Sequence, residues 1–303
     1  MDTTTIEMTD ADTVTSIVNE KPVPQHQNSK RPPIDWTAAI FIIGIHLAAP
    51  FAIFFFSWQA LLLFLVLDWV TGGLGITLTY HRLLTHRSFK VPKAVEYFLC
   101  ILASLACQAG PLTWVATHRL HHAKSDTPED PHSPRQGLFW AHMEWCLRRV
   151  PAVENFAAKA KLAPDLAKDP VHRFLDKFHI LWTILLTAGL YLWGGWSFVL
   201  WGICVRLVVV YHSTWAVNSA AHVWGYKTFR SDDDSTNLWW VALLTYGEGW
   251  HNNHHAFQAS ARHGLKWWEI DTTYMTIQFL KWIGLATDIK LPSQYQLDTK
   301  QAA

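Results

Sequence analysis

Charged side chains are missing from two long stretches of this sequence. Residues 36–67 contain no Asp, Glu, Lys or Arg, and neither do residues 178–205. A helix over the first stretch would be about 48 Å long, whereas the hydrocarbon core of a bilayer is about 30 Å thick. The two stretches exclude an ordinary soluble protein and predict an all-α integral membrane protein.

Cysteine is also scarce, and neither sign of charge is in excess. The four cysteines, Cys100, Cys107, Cys146 and Cys204, show no C-x-x-C spacing, so we expect no disulfide framework. The chain has 25 Lys and Arg residues against 24 Asp and Glu residues, which gives a net charge of +1. This balance argues against nucleic acid as a partner, because phosphates attract basic surfaces.

Each charge-free stretch is predicted to form a helical hairpin. The first breaks at Ser57-Trp58-Gln59, which gives spans at 36–56 and 60–80. The second turns at Gly194-Gly195, between spans at 178–193 and 196–221. The sequence therefore predicts four transmembrane helices arranged as two hairpins.

Cationic residues flank both hairpins, and the positive-inside bias places these flanks in the cytosol. They are Lys30, Arg31, Arg82, Arg87, Lys90, Lys177, Lys227 and Arg230. Residues 1–33 are polar and are expected to be a disordered cytosolic tail, and residues 293–303 form a C-terminal tail. Both termini are therefore expected on the cytosolic side.

Two other apolar segments are not predicted to span. Residues 97–117 are long enough, but they contain Gln108 and Gly110-Pro111, so we expect this segment to lie at the membrane interface. Residues 238–250 are too short to cross a bilayer. The Asp232-Asp233-Asp234 run is expected to be a solvated loop.

Histidine is frequent, with 17 residues, and most are clustered. The clusters are His81-Arg-Leu-Leu-Thr-His86, His118-Arg-Leu-His121-His122 and His251-Asn-Asn-His254-His255. On a helix, positions i, i+3 and i+4 share a face, so each triple is expected to aim its imidazoles at one point. Eight imidazoles suit Zn, Cu, Fe or Ni and suffice for two ions. A fifth span would separate the clusters, whereas four spans leave all of them on the cytosolic side.

Isolated histidines are left out of the predicted site, because a lone histidine is more often a packing residue. These are His46, His172 and His179. Asn218 and His222 lie four residues apart near the end of the fourth predicted span, and polar groups inside a membrane usually face a functional interior. A helix cap or an interhelical hydrogen bond would explain this pair equally well.

The three histidine clusters, together with GGLGIT, SDTPEDPH, NSAAH and GEGWHNNHHAF, resemble the motifs of the membrane-bound Δ9 fatty-acyl desaturases. The likeness is greatest to the cyanobacterial and bacterial acyl-lipid enzymes, and the animal stearoyl-CoA desaturases are more distant. It covers about residues 34–292, which are expected to form the desaturase domain.

The resemblance implies a four-span, mushroom-like fold whose cytosolic helical cap carries the histidine boxes. It implies two iron ions held by nine histidines, with Asn218 holding an iron-bound water. The nine are His81, His86, His118, His121, His122, His222, His251, His254 and His255. It also implies that O2 and two electrons remove one hydrogen each from C9 and C10 of a stearoyl or palmitoyl chain, which leaves a cis double bond. The protein's part is to hold the chain in a bent, dry tunnel.

Two other functions fit parts of this pattern. Membrane hydroxylases share the histidine boxes, and spacing alone does not separate them from desaturases. A metal transporter would carry its ligands near the bilayer midplane, whereas eight of the nine predicted ligands lie outside the spans.

The carrier of the acyl chain, glycerolipid or coenzyme A, is left open. A phosphate-bearing head or an acidic electron donor could bind to cations near the boxes, although ordinary cytosolic positive charge explains them as well. These cations are Arg82, Arg87, Arg119, Lys124 and Arg148.

An external electron donor is expected. The segment after His255 is too short for a haem or flavin domain of ordinary size. The resemblance to the cyanobacterial enzymes implies a soluble ferredoxin and a thylakoid or plasma membrane location, whereas the animal relatives use cytochrome b5.

Trp69 lies in the second predicted span, about 18 Å of helix before His81. At this depth its indole is expected to form the floor of an acyl tunnel that descends from the metals. In the animal relatives a bulky residue at the equivalent position closes the tunnel, with a small one a turn later, where this chain has Gly73. Packing of Trp69 against lipid or a neighbouring helix is an equally good explanation.

Overall fold

The computed structural model describes residues 31–302, and these residues form helices with no strand among them. Within this range, β-type backbone pairing is limited to isolated bridges, such as the one between Ile34 and Arg148. The all-α prediction is confirmed. The expected tail at residues 1–33 lies almost wholly outside the described residues.

The first hairpin begins with α1 (Trp36–Ala48), which continues as a 3₁₀ turn over Ala49–Phe55. The Asp35 side chain caps α1 by accepting hydrogen bonds from the backbone N–H groups of Thr37 and Ala38. After the predicted break, Ser57 caps α2 (Trp58–Asp68) by accepting from the N–H of Ala60. The same rod then runs on with π-helical, i to i+5 bonding over Trp69–Thr85. It therefore extends beyond the predicted end at residue 80 and includes the start of the first histidine box.

The second hairpin comprises α9 (His179–Val199), a short π-helical segment at Leu200–Val205 and α10 (Arg206–Asn218). Gly194 and Gly195 interrupt the helix with φ values of −142° and +61°. A Cβ on Gly202 would lie 2.8 Å from Cδ1 of Leu190, although a straight helix would separate these residues by about 18 Å. The chain therefore reverses at the predicted glycine turn.

The two hairpins are joined by hydrogen bonds near their turns. Ser197 Oγ donates to the carbonyl of Phe55 at 2.7 Å, and Trp201 Nε1 donates to the carbonyl of Ala52 at 3.0 Å. Three helical stretches among the described residues are long and apolar enough to cross a membrane, namely Trp36–Phe55, Trp58–Thr85 and His179–His222. The last of these contains the reversal.

The segment predicted to lie at the interface is not one helix. It is divided between α3 (Lys93–Ser104) and α4 (Pro111–Lys124). The connection between them holds Cys107 and Ala109 at positive φ, a conformation that is uncommon for residues with a side chain. The other short apolar segment, 238–250, forms only α11 (Trp239–Leu244) and a turn.

Short helices between and after the hairpins build a cap over the ends of the long ones. They are α5 (Leu138–His142), α6 (Phe156–Leu162), α7 (Pro164–Lys168), α8 (Pro170–Lys177), α12 (His251–Ala256), α13 (Thr272–Trp282) and α14 (Gln294–Thr299). The C-terminal tail is folded onto this cap, since Lys300 Nζ donates to the carbonyl of Ala256 at 2.7 Å.

Candidate metal centre

All eight histidines of the three boxes, and His222, come together in the cap. His81 lies in the last turns of the π-helical segment and His86 caps its end. The second box lies on α4 and the third on α12. His222 sits in a single turn, Ala220–His222, directly after α10. Four elements that are distant in sequence therefore share one site.

The nine histidines form two groups, and within each group the candidate ligand atoms all lie within 4.8 Å of one another. The first group contains five residues, His81, His86, His118, His122 and His254. The second contains four, His121, His222, His251 and His255. Two groups of this size could hold two metal ions.

Close approaches between ring nitrogens are the clearest geometric sign of a metal site. The Nε2 atoms of His81 and His254 lie 3.1 Å apart, and His122 Nε2 is 3.0 Å from His254 Nε2. In the other group, His251 Nε2 is 3.0 Å from His222 Nε2. Two ligands at right angles on one ion, each about 2.1 Å from it, are separated by about 3.0 Å. The observed spacing therefore fits adjacent ligands on a shared metal.

Each triple was expected to aim at one point, and this expectation was wrong. On α4, His118 and His122 join the five-residue group, while His121 joins the other. On α12, His254 joins the first group, and the remaining two box residues join the second. On each of these helices, the two histidines at positions i and i+4 belong to the same group. The histidine at position i+3 belongs to the other group. Each short helix therefore lies between the two groups and contributes to both.

Four carboxylates hold the outward nitrogens of four of these imidazoles. Glu248 Oε2 lies 2.7 Å from His81 Nδ1, and Asp130 Oδ2 lies 3.0 Å from His121 Nδ1. Asp126 and Asp233 contact the Nδ1 atoms of His222 and His255 at 3.2 and 2.6 Å respectively. An Nδ1–H bonded to a carboxylate leaves Nε2 with a free lone pair directed into the site. The carboxylates hydrogen-bonded to His121, His222 and His255 therefore fix the tautomer that binds metal, whereas Glu248 is close to His81 Nδ1 without a hydrogen bond.

Arg82 completes this arrangement around Glu248. Its guanidinium is fully buried and donates to Glu248 Oε1 and Asp271 Oδ2, both at about 3 Å. His263 Nδ1 also lies 3.0 Å from Glu248 Oε2. The suggestion that Arg82 could bind a phosphate was wrong, because burial and these ion pairs leave it inaccessible.

Burial keeps six of the nine candidate ligands neutral, whereas for His121 the adjacent Asp130 outweighs burial and raises the pKa above its usual value. Desolvation, with repulsion from neighbouring imidazoles, holds the pKa of His86, His118, His122, His251 and His254 well below the usual value. The pKa of His255 is lowered to about 4. Burial by itself would raise the pKa of Glu248, but Arg82 and the adjacent imidazoles hold it well below its usual range. Neutral imidazoles beside ionised carboxylates are the protonation states that metal binding requires.

Two buried imidazole nitrogens of the site that lack hydrogen-bond partners also fit a bound metal. The Nε2 atoms of His86 and His255 are buried and have no hydrogen-bond partner in the protein. Buried polar atoms are rarely left unpaired, and one ion in each group would bind the unpaired nitrogen of that group. A donor set of imidazoles suits a transition metal such as iron rather than Mg²⁺ or Ca²⁺.

A cavity of about 1460 Å³ opens beside this centre. His81, His118 and His251 lie in its wall, and so does Asn218. Below the histidines, the cavity passes Gln108, which donates to Thr214 Oγ1 at 2.9 Å and accepts from Trp114 Nε1 at 3.3 Å. All three side chains line the cavity, and the Trp114 ring lies 4.9 Å from the ring of His118, centroid to centroid.

Comparison with known proteins identifies the family. A fatty acid desaturase family model matches residues 56–278. An sn-1 stearoyl-lipid 9-desaturase from Anabaena variabilis is 53% identical over 270 residues, which cover 88% of this chain and 98% of the relative. The chain belongs to the fatty acid desaturase family. The resemblance inferred from the sequence motifs is confirmed.

Other relatives show how carrier and position vary among these desaturases. An sn-2 palmitoyl-lipid 9-desaturase from Nostoc sp. is 46% identical, with 88% of this chain and 93% of the relative covered. An icosanoyl-CoA 5-desaturase from Limnanthes douglasii is 47% identical, with 87% of this chain and 74% of the relative covered. The protein is thus a membrane oxidoreductase of a family that acts on acyl chains.

The desaturase site includes histidines that sequence reasoning missed. His132 stacks on His121, with ring centroids 4.3 Å apart, and lies beside Asp130. His263 contacts Glu248, as described above. The isolated histidines stay outside both groups: His46 Nε2 bonds to His212, and His172 sits between Glu96 and Asp169. His179 lines the cavity but belongs to neither histidine group.

Trp69 and Gly73 are not among the residues that line the cavity of this desaturase. The Trp69 side chain covers Gly73 and is 43% exposed on the outer surface. At that depth the cavity wall is made by Asp68, Gly72 and Tyr246. Tyr246 donates to Asp68 Oδ2 at 2.5 Å. This pair, rather than Trp69, therefore bounds the cavity at this level.

The remaining cations proposed for binding a phosphate or an electron donor differ in accessibility. Arg87 and Arg119 both pair with Asp165, and Arg148 pairs with Glu144. Lys124 is exposed at the end of α4. An arginine in an ion pair stays charged and has further N–H donors, so these residues stay candidates for contact with a head group or an acidic electron carrier.

Proposed function

We propose that the protein is a Δ9 desaturase of lipid-linked stearoyl or palmitoyl chains. The reaction takes a saturated CH2–CH2 unit, one O2, two electrons and two protons, and gives a cis CH=CH unit and two molecules of water. The single observation that carries the proposal is the pair of histidine groups at the wall of a large cavity. Names of relatives supply the position and the carrier, since two of the three described above act on lipids at position 9.

Two iron ions are the proposed cofactor. The five-histidine group would hold one and the four-histidine group the other, with Asn218 as the partner of an iron-bound water. Bound iron would supply the O2 chemistry that removes unactivated hydrogens. The nearby carboxylates would keep each ligand nitrogen aimed at its ion.

The chain's own residues would position the substrate. The hydrogen-bonded side chains of Trp114, Gln108 and Thr214 line the cavity beside His118 and would bend an acyl chain at that point. Selection of one pair of carbons then depends on the length of chain held on each side of the bend. This is catalysis by positioning, and a shift of about 1 Å would lower the rate strongly.

We further propose four membrane spans, with the cap and both termini in the cytosol. The reversal at Gly194–Gly195 supports two crossings by the stretch His179–His222, and all nine candidate ligands lie at the same end of the hairpins. Electrons would come from a separate protein, for which a soluble ferredoxin is the proposed donor. The exposed Lys124 and the paired arginines beside it would suit an acidic partner.

Product analysis tests the function directly. The protein, expressed in a host that makes only saturated fatty acids, should convert stearoyl or palmitoyl groups of membrane lipids into cis-9 products, detected by gas chromatography with mass spectrometry. Hydroxylated chains as the main product, or a double bond at another position, would contradict the proposal.

Metal analysis tests the cofactor. The purified protein should contain about two irons per chain, and His254→Ala should lose iron and desaturation while remaining a folded membrane protein. His46→Ala removes a histidine outside both groups and should keep its iron. One iron per chain in the parent, or an active His254→Ala variant, would overturn the di-iron assignment.

A further inference from the structure

The cavity is walled on one side by two helices that face each other across a slot. The α9 residues Ile180, Ile184, Thr187, Ala188 and Tyr191 all line it, and their spacing places them on one face of the helix. Several of them are also open to the outside, since Ile184 is 58% and Tyr191 50% exposed. Side chains that line a cavity and are exposed at the same time mark an opening.

Helix α1 forms the other edge of the slot. Thr37, Ala38, Phe41 and Ile42 line the cavity, again with the spacing of a single helix face. Phe41 is 36% exposed. The slot therefore lies between the first helix of each hairpin.

The opposite wall is closed. Ile76 and Val210, on the two helices nearest the histidines, are each less than 5% exposed. Between this wall and the slot stands the turn after α3. Its Cys107 is anchored to both sides, because its Sγ lies 3.1 Å from Thr183 Oγ1 on α9 and its carbonyl accepts from the hydroxyl of Tyr211 on α10 at 2.6 Å. A chain entering through the slot would meet Gln108 and then the metal centre.

The chemistry of the slot matches an amphiphile in a membrane. Its sides belong to stretches apolar enough to span a bilayer. Charged residues of its lining lie near the start of α1: Asp35 caps that helix, and the Arg148 side chain and the Arg149 backbone N–H donate to the carbonyls of Pro32 and Pro33. At about 1460 Å³ the cavity also exceeds the usual range of small-ligand pockets, about 300–1,000 Å³. A polar head at the charged end and a long acyl chain in the apolar part would fit this distribution.

We infer that the slot between α1 and α9 is a lateral portal through which a membrane glycerolipid passes one acyl chain from the bilayer to the metal centre. The inference rests on the proposed desaturase function and names the route and the carrier. A lipid with two acyl chains does not readily leave the bilayer, because transfer of each CH2 group from the bilayer to water is unfavourable. With a lateral portal, one acyl chain can enter the cavity while the rest of the lipid stays in the bilayer.

Two neighbouring residues on α9 provide a matched test. Both residues are exposed, but Ala188 lines the cavity, whereas Gly189 lies outside the lining and would place a Cβ with nothing within 4 Å. Ala188→Trp should lower desaturation of a stearoyl glycerolipid in liposomes by about tenfold or more. Gly189→Trp adds the same indole one position away and should stay within about twofold of the parent. Iron content should be unchanged in both.

A binding measurement separates entry from catalysis. A glycerolipid with a diazirine at the middle of its stearoyl chain should, on illumination, label the peptide that contains Trp114 in the parent and in Gly189→Trp. Ala188→Trp should lose this labelling. This readout needs no turnover and no electron donor.

Each outcome has a defined meaning. Equal labelling and activity in the two variants would overturn the portal. A parent that labels at Trp114 but makes no double bond would contradict the proposed function and leave the portal standing. If Ala188→Trp does not fold, Ala38→Trp with Gly44→Trp gives the same comparison on α1, since Ala38 lines the cavity and Gly44 has open space around it. Retained labelling in Ala38→Trp would then overturn the portal.

Discussion

At the scale of single residues, the carboxylates behind the histidines decide how well the site can hold metal. Asp233 shows this most clearly. It lies in the run expected to be a solvated loop, yet its side chain is largely buried and contacts His255. It also accepts from the backbone N–H of Ser235 at 3.0 Å. The expectation was wrong for Asp233, whereas its neighbour Asp232 is exposed.

Asp233→Asn should weaken iron binding by about 10- to 100-fold, because the amide cannot hold the His255 imidazole as a charged carboxylate does. Iron retention during titration with a chelator measures this change. Asp232→Asn makes the same substitution at the exposed neighbour and should behave like the parent. Equal iron retention in the two variants would show that the contact with His255 does not tune the metal.

The sequence predicts the nine histidines that meet in the cap but not the residues that support them. The spacing of residues within a box predicts which side chains are neighbours on a helix, and it therefore identified His118 and His122 as neighbours. The contact between His263 and Glu248, or between Asp233 and His255, depends on how distant segments pack, and no local period encodes that. The division of each box between two groups was missed for the same reason.

At the scale of elements, the π-helical stretch after α2 changes which side chains face the cavity. The prediction for Trp69 assumed 100° of rotation per residue over the distance to His81. A widened turn with i to i+5 bonding rotates by less per residue, so the error accumulates along the stretch. The indole consequently lies on the outer face, and Gly72 lines the cavity beside Tyr246.

This placement predicts which residue limits chain length. A Cβ on Gly72 would lie 3.1 Å from the Tyr246 ring, so Gly72→Leu should fill the cavity beside Asp68 and Tyr246 and shift the products from C18 toward C16 and shorter chains. Trp69→Ala removes a large side chain outside the lining and should leave the profile unchanged. Product distributions from mixed saturated substrates measure both. A shift toward C20 products in Trp69→Ala would instead support the prediction that the Trp69 indole forms the floor of the acyl tunnel.

The hairpin turn of α9 and α10 is a second element whose conformation depends on one residue. Gly195 has φ +61° and ψ −152°, a region that residues with a Cβ rarely occupy. The Gly194-Gly195 pair was recognised from sequence because the charge-free stretch is too long for one span and has this one strong turn signal within it.

Gly195→Ala should therefore destabilise the folded protein by about 1–3 kcal/mol. Gly189→Ala lies within the same helix, where its Cβ meets nothing, and should leave stability unchanged or slightly raised. Thermal unfolding midpoints in a mild detergent compare the two. Equal midpoints would mean that the turn relaxes to accommodate a side chain.

At the scale of the whole molecule, the two hairpins explain how separate boxes reach one site. The third apolar stretch, His179–His222, has 44 residues, which as a straight helix would be about 66 Å long, more than twice the bilayer core. Reversed at its middle, it returns to the end where it began and brings His222 beside α4 and α12. Hairpin number and turn position follow from hydropathy, but which faces of the hairpins meet depends on packing that hydropathy does not describe.

This topology predicts that segments on either side of the second hairpin lie on the same side of the membrane. Single cysteines in a background without the native four should report it: Lys124→Cys precedes the hairpin, Lys281→Cys follows it, and Trp193→Cys marks its tip, all at exposed positions. An impermeant maleimide applied to intact cells should label Trp193→Cys alone. The other two should react only after the membrane is opened, because the proposed topology places the cap in the cytosol. Labelling of Lys124→Cys and Lys281→Cys from opposite sides would mean that His179–His222 crosses once, and the histidine groups could not then assemble as proposed.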